Sequence, residues 1–596
     1  MKKIIYKICL LVLTLSVLSS CVNDEYFEIT NPNEIAKNNF WRNLSETELG
    51  LNAVYQSLHN PGVLNKINEM LRSDMGYPGY GRPIAQNTEE FYLHTYNGSS
   101  NSIRLKWEAT YTGIFRANQV IEALLAIEAE TLEEDMPEWT SQMAQARFFR
   151  GLFHFYLYTT FNEGKIIIRD FVPKSQDDFN QPLSSAADVL NFLREDLDYA
   201  HKNLYMKGVY PSNDLSRATS GAAATVLGTT YLQELDYNNA MLYFNEVITQ
   251  HPYQLETDLT KMFTSANGEF NSESIFEINF SNDNIQFDLS QWDGSSGTNW
   301  LNQQTSNTRG AVGPAWIALQ YKTEAMDDKD LRNFYNDANN NNQLTKRNVP
   351  LRASSMMALV DDTQTQYYLV ETSAYTRFHG TAWGFAWWKK YQNHDIVTNE
   401  SQLEGGAVFS SKNVTLNRLS EVYLMQAECL IKTGDVAGAL TLMNDIRKRW
   451  GLVLLGRPNG DTSRTYDRED TDPEFTADEL MQQLMKVDKP LETGAEGHCI
   501  RTIDFLRWKK SDNYGFKERL LELSNETYYA QNFTYVNSEG QTRTRNNFPS
   551  LEATMPAGAN IVVNYEYDIS VLNYDESQHT YYPIPFTEVN ANSNIN

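Results

Sequence analysis

Several tryptophan and tyrosine residues of this 596-residue chain stand in segments rich in Asn, Gln, Ser, Thr and Gly. A flat ring on such a segment offers a platform for the C–H face of a sugar ring, and nearby carboxylate, amide and guanidinium groups can bond the sugar hydroxyls. Loops carried by a rigid scaffold are common positions for binding sites. The candidate ligand-binding residues are Asp74, Tyr77, Tyr80, Trp292, Asp293, Asn299, Trp300, Arg309 and Trp383.

Each candidate tryptophan has a competing interpretation as a core residue, because a tryptophan in a large protein is usually well buried. Trp387 and Trp388 are adjacent, so on a strand they would face opposite ways and at least one would pack internally. Four other tryptophans fall in helical patterns and are assigned to the core: Trp107, Trp139, Trp450 and Trp508.

Catalytic motifs are absent from the sequence: there is no H-E-x-x-H, G-x-S-x-G, G-x-x-x-x-G-K-[ST] or C-x-x-C. A glycosidase needs two suitably spaced carboxylates, but 76 acidic residues make any such pair easy to propose. We therefore expect no catalytic residues and no enzymatic activity.

Metal and cofactor motifs are also missing. The nine histidines show no ligand spacing, and the acidic run at 327–330 lacks the EF-hand pattern. We expect no cofactor and no metal site, and leave open a calcium ion held by loop carbonyls.

The first twenty residues have the layout of a secretory signal peptide: lysines, an apolar run from Ile8 to Leu18, then two serines. The apolar run is too short to cross a hydrocarbon core of roughly 30 Å. Leu18-Ser19-Ser20-Cys21 resembles the lipobox of bacterial lipoproteins, in which the cysteine is acylated and becomes the new N-terminus. Cys21 is thus the predicted lipid anchor; the alternative is an incidental cysteine beside an ordinary cleavage site.

The polar residues Asn23-Asp24-Glu25 resemble a signal that directs lipoproteins to the outer face of the outer membrane. The formal net charge of −26 disfavours nucleic acids and other polyanions as ligands. It favours neutral glycans. Cys429 and Cys499 lie in apolar, helix-like surroundings and are expected to be buried thiols, with a single disulfide as the alternative.

Hydrophobic periodicity predicts a mainly α fold. A capping box at 45–48 is expected to open the first helix, and Thr476-Ala477-Asp478-Glu479 a late one. Long periodic segments are predicted as helices at Ile103–Glu130, Trp139–Thr160, Ala187–Leu204, Ser216–Leu235, Tyr237–Gln250 and Asn417–Trp450.

The segment 222–252 has the spacing of a tetratricopeptide-like helical hairpin. Gly228 and Ala240 are small enough for two helices to approach closely, and Tyr231 and Phe244 are expected to fill the angle between them. A looser copy covers 421–451, and a weaker one 144–164. The intervening residues 281–411 are polar and loop-rich, and they carry short strands.

Five segments spread over nearly the whole chain form a recognisable series after Cys21. They are FWRNLSETELGLNAVY, LSRATSGAAATVLGTTYL, NRLSEVYLMQAECLIKTGDVAGALTLMNDIRKRWGL, EGHCIRTIDFLRWKK and YYPIPFTEVNANSNIN. Together, and in this order, they resemble the successive signatures of the SusD/RagB family.

The resemblance implies a single large SusD-like domain, mainly α, with tetratricopeptide-like hairpins as the scaffold. The expected division is a signal peptide (1–20), a lipidated tether (21–40), an N-terminal helical region (41–280), a loop-rich insertion carrying the ligand site (281–411) and a C-terminal helical region (412–596). Three departures occur in segments that look structural in the family: Cys499 replaces its Arg, 486–489 replaces its E-R-R, and 592–596 replaces its Q-N-P-G-Y.

The resemblance also implies a function: a lipid-anchored outer-membrane protein facing the cell exterior. It would capture a neutral oligosaccharide and deliver it to a SusC-like TonB-dependent barrel. The alternatives are a peptide-capturing member of the same family, or a helical-repeat adaptor that binds only protein.

Overall fold

The computed structural model describes residues 40–79, 81–83, 89–212, 214–265, 267–281, 294–306, 310–380, 384–403, 410–458, 474–557 and 561–595. The predicted signal peptide and nearly all of the predicted tether lie outside these residues. The same holds for six of the residues singled out above: Cys21, Tyr80, Trp292, Asp293, Arg309 and Trp383.

Helices dominate the described residues, so the predicted mainly α class is confirmed. They are α1 (Leu44–Gln56), α2 (Pro61–Leu64), α3 (Lys66–Arg72), α4 (Asn101–Ile127), α5 (Met136–Thr160), α6 (Ala186–Asn203), α7 (Ser220–Gln233), α8 (Tyr237–Thr249), α9 (Leu301–Thr305), α10 (Ala315–Thr323), α11 (Leu351–Met356), α12 (Leu419–Thr433), α13 (Val436–Arg449), α14 (Ala477–Gln483), α15 (Lys489–Thr493), α16 (Ile500–Asp512), α17 (Phe516–Ser524), α18 (Asp568–Asn573), α19 (Glu576–His579) and α20 (Phe586–Ala591).

The strands are short, and in the described residues they form separate small sheets, five with two strands and one, β12–β11–β13, with three. Most lie in or near the predicted loop-rich region. They are β1 (Ser274–Ile278), β2 (Phe334–Asp337), β3 (Gln343–Lys346), β4 (Met357–Leu359), β5 (Gln366–Tyr367), β6 (Val370–Glu371), β7 (Ala386–Trp388), β8 (Val414–Arg418), β9 (Arg457–Pro458), β10 (Glu474–Phe475), β11 (Tyr528–Val536), β12 (Thr542–Glu552) and β13 (Ile561–Val563).

The long helices pack in chain order from α4 to α8, and α1 rests on α4 and α5. Helix α12 then packs directly on α8, although the whole loop-rich region separates the two in the sequence. Most of the buried apolar side chains in the described residues form one contiguous cluster. None of the helices in the described residues combines the length and apolar composition needed to cross a membrane.

The predicted helical hairpin at 222–252 is confirmed as α7 and α8. A Cβ on Gly228 would lie 2.7 Å from the ring of Phe244, so the helices approach as closely as the small residue allows. Phe244 is fully buried, while Tyr231 is partly buried and stacks on Tyr243. The looser copy is also present, as α12 and α13, with Gly434 in the left-handed region (φ 93°) at the turn.

The start of α1 differs from its prediction. Asn43 caps the helix by accepting a hydrogen bond from the Glu46 amide at 3.1 Å, so the helix begins before the predicted capping box. Asn is as good a cap as Ser, and the Arg42–Glu46 pair fixes the same turn. The other predicted capping box, Thr476 with Glu479, is confirmed at α14.

Buried charges join the two chain segments that flank the loop-rich region to the C-terminal helices. Arg418, at the end of β8, pairs with Glu273 beside β1 and with Glu492 of α15, both at 2.7 Å. Glu492 also pairs with Arg449 and accepts a hydrogen bond from the Trp450 indole at 2.8 Å. Because a buried charge without a partner is strongly destabilising, this network fixes the base of the loop-rich region.

The four tryptophans assigned to helical core positions are buried, as are Trp316 and both Trp387 and Trp388. Cys429 and Cys499 are buried free thiols, which confirms the first of the two interpretations. Burial raises the pKa of Cys499 to about 12, so the thiol is unreactive in the folded chain.

Candidate functional site

Three of the segments that carry candidate residues start from neighbouring backbone positions. Tyr77 and Val312 exchange two backbone hydrogen bonds, each 2.9 Å long. The next residue, Gly313, donates to the Ala386 carbonyl of β7 at 3.1 Å. We call this set of paired backbones, Tyr77, Val312, Gly313 and Ala386, the loop junction.

The third segment begins at His379 and ends at Gly384, next to the loop junction. Gly384, two residues before Ala386, donates to the His379 carbonyl at 2.8 Å. The bases of three segments therefore lie next to one another: the early loop (residues 73–83, which follow α3), the chain before Val312, and the chain between His379 and Gly384. Tyr80, Arg309 and Trp383 belong to these three segments, but lie outside the described residues.

A buried arginine lies beneath the loop junction. The Arg82 guanidinium lies 4.1 Å from the ring centre of Tyr77 and 4.6 Å from that of Phe385. It pairs with Glu566 and donates to the Gly313 carbonyl at 3.0 Å. Burial lowers the pKa of Arg82 from its ordinary value. These contacts make the junction a rigid base for the loops.

Asp74 is fully buried, which corrects its predicted role as a rim group. Its carboxylate oxygens accept from Arg501 at 2.8 and 2.7 Å and from Arg519 at 2.7 Å. Its carbonyl accepts from the Trp316 indole at 2.7 Å. Burial alone would raise the pKa of Asp74, but the two arginines outweigh it and lower the pKa. The residue therefore stabilises the fold below the early loop.

Tyr77 and Asn299 are also interior residues, so neither fits the predicted surface contact. The Tyr77 ring packs edge-on against Tyr92 beneath the loop junction. Asn299 donates from its side chain to the Lys412 carbonyl and accepts from the Leu301 amide, both at 2.9 Å. Both side chains therefore make contacts inside the protein. The sequence alone could not show their burial, because these contacts depend on how the chain folds.

Trp300 is the candidate aromatic that keeps accessible surface among the described residues. It stands at the N-terminus of the short helix α9, packs partly against the core and is half-buried. In the described part of the chain, the structure gives no direct contact of Trp300 with Tyr77 or with Asp74. Its proposed role as a platform stays a prediction.

A second aromatic feature was missed by the sequence analysis. A cleft of about 430 Å³ lies between α4 and the segment 166–179, with the end of the chain at one side. We call it the aromatic cleft; its rings come from Trp107, Tyr111, Phe115, Phe171 and Phe179. Phe115 is 38% exposed and Phe179 is 51% exposed. The signal available in the sequence was the aromatic series 107, 111, 115 on one helix face, of which the sequence analysis assigns only Trp107, to the core.

Glu496 and His498 are separated by one residue in the sequence and could in principle act as an acid–base pair, but both are buried. Glu496 pairs with Lys390 and with Arg418. The His498 ring stacks on Tyr156 with the centres 3.6 Å apart, and burial keeps its pKa well below the ordinary value. Over the described part of the chain, no group of three or more acidic, histidine or cysteine residues could hold a metal ion.

Comparison with known proteins gives two matching family models. One, described as the SusD family, matches residues 246–596. The other, described as "Starch-binding associating with outer membrane", matches residues 26–232.

Individual relatives carry the same kind of name. A SusD-like protein, P25, of Formosa agariphila is 23% identical over 443 residues, covering 73% of this chain and 80% of its own. A SusD superfamily protein from Bacteroides vulgatus has a similar structure, with TM-score 0.66, 19% identity and coverage of 94% and 99% of the two chains. A solved structure named a laminarin binding SusD-like protein has TM-score 0.56, 19% identity and coverage of 93% and 98%.

Proposed function

The chain belongs to the SusD family, since that model covers more than half of it, and from this membership we propose that it captures oligosaccharides at the cell surface. The captured glycan would pass to a partner TonB-dependent outer-membrane barrel. Cys21 would be acylated and hold the protein on the outer membrane, facing the exterior. The protein would bind the glycan without cleaving it.

The observation that carries this proposal is the loop junction. Three polar, aromatic-bearing segments start from paired backbones above one buried arginine, so a ligand held by their side chains would meet a preorganised base. Platforms from different loops suit the repeated ring faces of an oligosaccharide. The starch-binding description of one family model and the laminarin-binding name of one structural neighbour support a neutral glucan as the ligand.

Delivery requires release as well as capture. A micromolar dissociation constant corresponds to roughly −8 kcal/mol, enough to hold a glycan near a transporter and still exchange it. The acidic balance of the chain favours an uncharged ligand.

The proposal is tested by replacing Trp292, Trp300 and Trp383 with Ala in one mature chain. Loss of the platforms should abolish retention on immobilised starch and laminarin, while the melting temperature stays close to that of the wild type. Incubation of the wild type with the same polysaccharides should release no new reducing ends.

Trp41→Ala is the matched control, because Trp41 is a partly buried tryptophan packed against the core from outside the candidate loops. It should be retained like the wild type. Equal retention of the triple variant would exclude the three tryptophans from the site, and new reducing ends would contradict the non-enzymatic function.

A further inference from the structure

We propose that the aromatic cleft is a second carbohydrate site, separate from the loop junction, which takes one or two rings of a neutral sugar and adds to the retention that the loop junction provides. This inference rests on the proposed function for the class of ligand. It is carried by a different observation, the construction of the cleft from α4 and the segment 166–179.

One face of α4 builds the first wall and fixes the second. Tyr111, Phe115, Asn118 and Glu122 are spaced to share a helix face. The Tyr111 hydroxyl donates to the Ile167 carbonyl at 2.8 Å and accepts from the Ile167 amide at 3.1 Å.

Two further side chains of this face hold the same segment. Asn118 donates to the Arg169 carbonyl at 3.0 Å and to the Phe171 carbonyl at 3.3 Å. Glu122 accepts from the Val172 amide at 2.9 Å. Phe115 lies between these polar residues, and its ring is presented to the cleft.

The second wall ends in a turn that presents another ring. Arg169 donates from its guanidinium to the carbonyls of Asp178 and Phe179 and so fixes the turn at 176–179. Phe179, at the end of this turn, is more than half exposed. Two exposed phenylalanines therefore line one cavity on backbone that is already held in place, which reduces the entropy lost on binding.

The polar groups at the edge of the cleft select the ligand. Glu588 of α20 accepts from the Trp107 indole at 3.2 Å, and Glu108 of α4 also lines the cleft. Both carboxylates can accept further hydrogen bonds from hydroxyls. The Arg169 guanidinium is bonded to main-chain carbonyls, so the rim favours hydroxyl donors over uronate or sulfate groups.

The size of the cleft also fits a ligand. A volume of about 430 Å³ lies within the range of small-molecule sites, roughly 300–1,000 Å³, and far above the voids found in packed cores. Two sites on one chain would hold a long glycan more firmly than either alone, because the second contact becomes intramolecular.

The test is affinity electrophoresis of the mature chain in gels containing starch, laminarin, xylan or galactomannan. For any polysaccharide that retards the wild type, the double variant Phe115→Ala with Phe179→Ala should bind roughly tenfold more weakly, because two ring contacts are lost. Phe115→Tyr with Phe179→Tyr keeps the rings and should behave like the wild type. Leu105→Ala with Leu125→Ala is the matched control, since both are exposed apolar residues of α4.

The outcomes separate this inference from the proposed function. A cleft variant retained like the wild type, beside a triple tryptophan variant that is not retained, overturns the second site and leaves the proposed function standing. If only the cleft variant loses retention, the result supports carbohydrate binding in the cleft and excludes the loop tryptophans from the site. A wild type retained by none of the four polysaccharides overturns both.

Discussion

Glu492 is a single buried side chain that makes many of the ionic contacts stabilising this fold. It is fully buried, with Arg418, Arg449 and Arg352 around it and the Trp450 indole on one oxygen. Burial alone would raise the pKa of Glu492, but the arginines outweigh it and hold the pKa well below its usual range.

Glu492→Ala should therefore lower the free energy of unfolding by about 3–5 kcal/mol, because it leaves buried guanidinium groups with too few partners. Urea denaturation at pH 7 measures the change. Asp198→Ala is the control: its pair with Lys202 is exposed, and removing a surface pair should change stability by no more than about 0.5 kcal/mol. Equal effects of the two variants would contradict a structural role for the buried network.

The pKa of Glu421 is shifted in the opposite direction to that of Glu492, and this shift predicts a pH dependence of stability. Burial raises its pKa from 4.5 to about 7, while Asn417 donates a hydrogen bond to it at 3.0 Å. A raised carboxyl pKa gives stability that is fully present below pH 4.5 and is lost as the pH rises through about 7. Glu421→Gln stays uncharged, so its stability relative to the wild type should increase from pH 4.5 to pH 8. Paired urea titrations across this range measure the difference, and a constant difference would contradict it.

The candidate residues illustrate what a sequence leaves undetermined at this scale. Asp74, Tyr77 and Asn299 have the types and loop setting of ligand contacts, yet all three are interior. Their burial depends on Arg501, Val312 and Lys412, which lie hundreds of residues away or in another loop. Local composition does not show which residues of a loop face inward.

At the scale of elements, prediction succeeded where the signal is local. The helices from α4 to α8 begin and end within a few residues of the periodic segments, because an apolar stripe at helical spacing specifies both the helix and its buried face. The predicted long segment at 417–450 divides into α12 and α13 at Gly434. The aromatic cleft was missed because it exists only where α4 meets a segment that follows the next helix.

The hairpin of α7 and α8 offers a direct test of close packing. Gly228→Val should destabilise the protein by about 1–3 kcal/mol, since the added groups meet the Phe244 ring. Phe244→Leu provides space at the same point. Combining the two substitutions should therefore cost less than the sum of the single effects, as measured by a double-mutant cycle in urea. Strict additivity would contradict the contact.

At the scale of the whole molecule, the predicted lipid anchor at Cys21 would hold the protein at the membrane. Cys21→Ser should abolish palmitate labelling in the producing cells and move the protein from the membrane fraction to the soluble fraction, because more than one acyl chain is needed for stable attachment. Cys429→Ser is the matched control, since that thiol is buried and free. Unchanged labelling of the Cys21 variant would contradict acylation at this position.

The pairing of Asp74 with Arg501 and Arg519 has a consequence for biosynthesis. Asp74 is synthesised long before its partners Arg501 and Arg519. The early loop therefore cannot form its native ion pairs until the last fifth of the polypeptide is present. Folding thus finishes only near the end of synthesis. Such a delay would suit export as an unfolded polypeptide, which the predicted signal peptide implies.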